Sequence, residues 1–360
     1  MERALARGVS STDLRRMRRI AGLAARHGRR VWLVGGPVRD LLLGKTINDI
    51  DLAIDGCVEA IGRAVAAEFD ASFRGHARFS TAVVTFDDGH VDLAATRTES
   101  YDSPGALPRV RPGTIDEDLA RRDFSVNAMA MHITASGNGP LIDPCDGRSD
   151  LRDRLLRTLH DRSFHDDPTR MFRAARFAVR FGFRLEGSTL GALKESATGG
   201  HACGLSGERV AAELRHSVNE HRPSAVLRLL DRWGLGASWG AAGSPTAAGR
   251  ERLRHAESRL RCFRRTAREE TALRLACAFH DLSPSRRERI AERLRLMRIE
   301  RRILVPGPRR AGEILQRLGR TSGRADLDRL FRSVDVPTLI LAGMLADARG
   351  FARLRRWWQT

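Results

Sequence analysis

VWLVGGPVRDLLLGKTINDIDLAIDG, residues 31–56, is the stretch from which the rest of the chain is read. The apolar run Val31–Val34 is a strand that ends on Gly35-Gly36. A short helical stretch with Arg39 and Asp40 follows, and a second strand carries Asp49 and Asp51 two positions apart. Side chains alternate between faces along a strand, so the two aspartates project to one side while Ile50, Leu52 and Ile54 face a core. Glycines without a Cβ let backbone N–H groups approach an anion at the start of a helix, where the dipole favours negative charge. Hard cations such as Mg²⁺ take oxygen ligands, typically one or two carboxylates plus substrate phosphates. Each element alone is common, as a plain turn or a solvated strand edge. Their conjunction, with twelve residues between Gly36 and Asp49, points to a metal ion and a nucleotide's phosphates.

The formal charge of +19 is carried almost wholly by arginine, since Lys45 and Lys194 are the only lysines. Arginine richness reflects base composition in part, yet an excess of this size attracts a polyanion, with nucleic acid foremost. At 360 residues the chain has room for two or three domains with sizeable cores. No apolar run reaches the ~20 residues of a membrane helix, and the N-terminus lacks the apolar core of a secretory signal. A cytoplasmic location is the expectation. Cys57, Cys145, Cys203, Cys262 and Cys277 are scattered without a C-x-x-C, which argues against zinc and a disulfide framework.

Along the chain, residues 12–28 and 58–69 have helical spacing. Runs 79–86 and 90–95 read as strands joined at Asp87-Asp88-Gly89. Asp92 in the second run joins Asp49 and Asp51 if the strands pair. Residues 97–114, rich in Gly and Pro, read as a long loop, either a surface excursion or a functional one. In 117–131, Arg122 offers a cationic fork, and Asp123 and Asn127 fall on one helix face. A turn at Asp143–Gly147 leads into a helix with Leu151, Leu155 and Leu156 inward. Asp166 and Asp167 precede Pro168 and a helix with Arg170, Arg173, Arg176 and Arg180 at helical spacing. From 205 onward the pattern is helical, with a boundary loop at 235–249 and a dense basic run at 250–268 that suits a phosphate backbone. His280-Asp281 has no companion ligand at suitable spacing and reads as structural.

The glycine and carboxylate arrangement resembles the signature of the polymerase-β-type nucleotidyltransferases. The fuller string GGPVRDLLLG…DIDLAIDG is similar to the bacterial tRNA nucleotidyltransferase and poly(A) polymerase family, as are EDLARRDFSVNAMAM and the segment from Phe164 to Phe183. The resemblance is clear to about residue 235 and weak beyond it. It implies an α+β chain: a catalytic head with a mixed sheet over 1–140, a helical neck over 141–205, a helical RNA-binding body over 206–300 and a tRNA-binding tail over 301–360. It further implies addition of C and A to tRNA 3′ ends from CTP and ATP. Poly(A) polymerase, CC-only and A-only enzymes are the alternatives.

By the same resemblance, Asp49, Asp51 and Asp92 are catalytic, and Asp49 and Asp51 hold two Mg²⁺ ions, usually ~3.5–4 Å apart. Gly35, Gly36, Arg39 and Arg122 cradle the triphosphate. Asp123 and Asn127 contact the sugar, and Arg173 and Arg176 contact the nucleotide. The stretch 97–114 is similar to the family's flexible loop. Asp167 and Arg170 match the family's base-reading pair, although Asp166 stands where relatives usually carry Glu. A carboxylate only accepts and a guanidinium only donates. Cytosine and adenine both set an exocyclic amine beside a ring-nitrogen acceptor and fit that pair. Uracil and guanine present the reverse.

Overall fold

The computed structural model describes residues 2–56, 58–240, 243–321 and 323–359. Cys57, and residues 241–242 of the expected boundary loop, lie outside the described residues. The chain divides into two compact units, one up to Asp166 with Phe183–Leu190, the other Asp167–Gly182 with the chain from Gly191 onward.

The first unit is built on strands β1 Val31–Val34, β2 Ile50–Ile54, β3 Ser72–His76, β4 Thr81–Phe86 and β5 Gly89–Ala95, then β6 Arg97–Ser100, β7 Arg109–Pro112, β8 Ala130–Ile133 and β9 Asn138–Ile142. Seven of them form one mixed sheet in the order β3-β4-β5-β2-β1-β8-β9, with β2 and β5 parallel and the other pairs antiparallel. All four residues of β1 are buried, which is why this central strand reads as a continuous apolar run. Helices Ser11–Arg26, capped by Ser10, and Val58–Glu68 touch each other and the sheet. Elsewhere Trp32, Val34 and Ala53 pack with Ile115 and Leu119 of the helix Ile115–Ala120. Directly paired residues share a sheet face, so Asp51, two positions from Ala53, lies on this face.

Three readings of the sequence need correction. The expected loop 97–114 contains a two-stranded ribbon, β6 against β7, with Arg97 opposite Pro112 and Ser100 opposite Arg109. Its strands are four residues long and charged, with Pro108 before β7 and Pro112 ending it, so no apolar alternation marks them. The expected helix through 117–131 stops at Ala120; a single 3₁₀ turn Ser125–Asn127 and strand β8 follow. Residues 128–131 are fully buried, and such a short apolar run does not distinguish strand from helix. Asp123 and Asn127 therefore do not share a helix face, yet Asn127 Nδ2 donates to Asp123 Oδ1 at 2.9 Å. Third, the helix after the Asp143–Gly147 turn ends at Asp153, and Leu155–Leu156 forms a short parallel strand with Arg184–Leu185. Asp143 closes that turn by accepting from the N–H groups of Gly147 and Arg148.

The second unit is helical, with no strand among its described residues. Its helices Thr169–Phe181 and Gly207–Val218 pack on each other. Ser206 caps the latter by accepting from Arg209 N–H. Asp281 accepts from the Thr246 hydroxyl and sits 2.6 Å from His280 Nε2, while His280 Nδ1 lies 3.2 Å from the Cys277 carbonyl. Among the described residues no helix is long and apolar enough to cross a membrane.

Candidate active site

The parallel pairing of β2 with β5 sets Asp51 directly opposite Asp92, and Asp49 stands exposed one residue before β2. Burial and the charges of Asp92 and Asp49 push the Asp51 carboxyl above its usual range, against the pull of Arg122. Like charges gathered on one face favour an added cation. The donors are hard oxygens, which fits Mg²⁺. Among the described residues no three side chains already form a closed metal cage. An ion held by one or two carboxylates and substrate phosphates needs none.

The two glycines sit beneath guanidinium groups. Gly35 has φ +73°, and a Cβ there would lie 2.4 Å from Arg122 Nη1. A Cβ on Gly36 would lie 3.5 Å from Arg39 Nη2. Arg122 donates from Nη2 to Asp118 Oδ2 at 3.0 Å, and its Nε is buried with no hydrogen-bond partner. Arg39 is itself buried. It forks onto Asp40 at 2.9 and 3.0 Å and donates to Asn127 Oδ1 at 2.5 Å. Asp40, Arg39, Asn127 and Asp123 thus form one polar chain behind the glycine pair. Gly35→Ala should place a side chain in a backbone region nearly restricted to glycine and against Arg122. Strain of about 1–3 kcal/mol is expected, read as a lowered Tm together with a raised KM for nucleotide.

In the second unit, Asp167 Oδ1 accepts from Thr169 N–H at 3.1 Å, the Thr169 hydroxyl at 2.7 Å and Arg209 Nη2 at 2.7 Å. Arg170 is buried on the first turn of its helix. Arg176 is also buried, 3.5 Å from Glu213. Burial draws the Arg176 guanidinium down and pushes the Glu213 carboxyl up, and Arg176 Nε and Glu213 Oε2 have no hydrogen-bond partner. Arg173 lies over the Phe177 ring at 5.3 Å, and Arg180 forks onto Glu220. Sequence reasoning missed Arg209 and Glu213. Arg209 occupies the position where Glu would complete a capping box, and the available signal was its i,i+4 spacing to Glu213 on a helix with a buried face.

Comparison with known proteins bears on both units. Residues 31–157 match the family described as the poly A polymerase head domain. An A-adding tRNA nucleotidyltransferase of Halalkalibacterium halodurans is 39% identical over 226 residues, covering 62% of this chain and 53% of that protein. A CC-adding tRNA nucleotidyltransferase of Deinococcus radiodurans is 40% identical over 205 residues, covering 57% of this chain and 54% of that protein. The matched stretch thus spans about half of each relative. A solved CCA-adding enzyme without ligand superposes with a TM-score of 0.81 at 26% identity, covering 99% of this chain and 85% of the other.

Proposed function

We propose, for a chain whose residues 31–157 match the poly A polymerase head-domain family, that it is a tRNA nucleotidyltransferase adding C and A to the 3′ end. The observation that carries this reading is the β2–β5 register, which joins Asp51 to Asp92 on the face where Arg122 lies over Gly35. Asp49 and Asp51, with Asp92 beside Asp51, would hold Mg²⁺ together with the substrate phosphates; when bound it supplies Lewis-acid stabilisation of the reacting phosphate and lowers the pKa of the attacking hydroxyl. The tRNA 3′-oxygen loses its proton and bonds to the α-phosphorus. The α–β phosphoanhydride bond breaks, and pyrophosphate departs. Arg122 and the N–H groups at Gly35 and Gly36 receive the triphosphate. Arg39 fixes Asn127, which with Asp123 meets the sugar.

Asp167 and Arg170 read the base, with Arg209 holding Asp167 in place, and the half-buried Arg173 and the buried Arg176 receive nucleotide phosphates. The net charge of +19 supports RNA as the acceptor. We retain the division into head, neck, body and tail at 140, 205 and 300 as part of this proposal. A CC-only or A-only activity is the second reading, favoured by the similar identity of the chain to an A-adding and a CC-adding relative. The test incubates tRNA lacking CCA, tRNA ending in CC, and oligo(A) with each nucleoside triphosphate, followed by sequencing of the products. Full repair from CTP and ATP is expected. Extension of oligo(A) without tRNA repair overturns the reading.

A further inference from the structure

The root of the β6–β7 ribbon is fastened to the helix Ile115–Ala120 by two buried carboxylates. Glu99, whose side chain is 7% exposed, accepts on Oε1 from Arg97 Nε at 3.2 Å, Arg97 Nη2 at 3.1 Å and Arg121 Nη1 at 2.7 Å. Its Oε2 accepts from the Tyr101 hydroxyl at 3.0 Å. Asp118, whose side chain is 1% exposed, accepts on Oδ1 from Arg121 Nε at 3.1 Å, Arg121 Nη2 at 2.7 Å and the Arg97 N–H at 3.3 Å. Its Oδ2 takes Arg122 Nη2. Arg121 therefore spans both carboxylates, and Asp118 passes the connection to Arg122. Although burial acts the other way, Arg122 and Arg121 hold the Asp118 carboxyl below its usual range, so it stays anionic.

We propose that Glu99 and Asp118 are positioning residues for Arg122: Asp118 directly, and Glu99 through Arg121 and Asp118, pin its guanidinium over Gly35 before a triphosphate arrives. This rests on the reading of Arg122 as a phosphate ligand. An arginine has a long, mobile stem, and a ligand that must order it loses affinity. Asp118 restrains one end of the fork at Nη2, while Nη1 faces Gly35 and the buried Nε lacks a partner. Glu99 acts one step further out, by fixing the Arg121 guanidinium that shares Asp118. The ribbon root and the phosphate seat are then a single charged unit, Glu99–Arg121–Asp118–Arg122.

The test measures the dissociation constants of CTP and of inorganic tripolyphosphate on the full chain without RNA, in a double-mutant cycle. Arg122→Ala is expected to weaken both ligands. Asp118→Asn should weaken them by about tenfold and the isosteric Glu99→Gln by about threefold, and neither should add a loss in the Arg122→Ala background. In turnover, KM for nucleotide should rise while kcat changes by less than about threefold. Equal losses with and without Arg122, or no loss in either single variant, overturn the positioning role. If Arg122→Ala leaves tripolyphosphate binding unchanged, the phosphate reading of Arg122 fails, and this proposal with it. Should Asp118→Asn not fold, Glu99→Gln carries the same comparison.

Discussion

Asp51→Ala should lower incorporation of both CMP and AMP by on the order of 10³-fold while the chain still folds. The size follows from what Asp51 does in the proposed reaction: it shares a face with Asp92 and is the most enclosed of the three carboxylates assigned to the cation. Folding should survive because the carboxylate, as it stands, meets like charges and burial. Its pKa is raised on folding, so protonation favours the folded state. Its contribution to stability is therefore present at acid pH and is lost as the pH rises through the raised value. Asp51→Asn, which keeps the shape without the charge, should raise Tm at neutral pH, and the gain should vanish on acidification. Mg²⁺ with nucleotide should raise the Tm of the parent chain more than that of Asp51→Asn. Retained incorporation in Asp51→Ala would remove the carboxylate from the reaction.

Asp167→Asn should relax base choice without abolishing transfer. Thr169 and Arg209 all donate to one oxygen of Asp167, Oδ1, which leaves Oδ2 as the acceptor for an exocyclic amine. In the asparagine variant the amide oxygen takes the place of Oδ1, and the amide N–H₂ turns toward the base. A donor there suits the O4 carbonyl of uracil and opposes the amine of cytosine. With one hydrogen bond at ~1–3 kcal/mol, the preference for CTP over UTP should fall by roughly tenfold to a hundredfold. Arg170 still faces the uracil ring N–H, so the preference shrinks without reversing fully. Single-nucleotide incorporation on tRNA lacking CCA measures the ratio. An unchanged ratio would mean that Asp167 does not read the base.

Much of the first unit was legible because its signals are local. Val31–Val34, the glycine pair and Asp51 lie within 21 residues of one another and take the conformations expected of them. The helices Ser11–Arg26 and Val58–Glu68 carry their own apolar spacing, and Ser10 caps the first. The stretches misread were short and ambiguous: β6 and β7 lack apolar alternation, and 128–131 has too few residues for its period to separate strand from helix. Arg39 illustrates a different limit. Its position after the glycines points to the triphosphate, and the bonds of its buried guanidinium to Asp40 and Asn127 are visible only in the folded chain. The sequence carries no record of that partnership, since Asn127 lies 88 residues away.

By itself, then, the order of residues determined the chemistry that can be assembled: paired carboxylates at the start of a strand, glycines before a helix, and an acid–arginine pair bracketing the start of another. Those features depend on alternation, missing Cβ atoms and helical spacing, which act over a few residues. Only the tertiary structure decided which groups hold which. It set Asp92 beside Asp51 through the β2–β5 register, Arg122 over Gly35, Arg209 on Asp167, and Glu99 and Asp118 around Arg121. The physical reason is that a buried charge must find its partner wherever folding brings one within hydrogen-bond reach, and that distance in space has no counterpart along the chain.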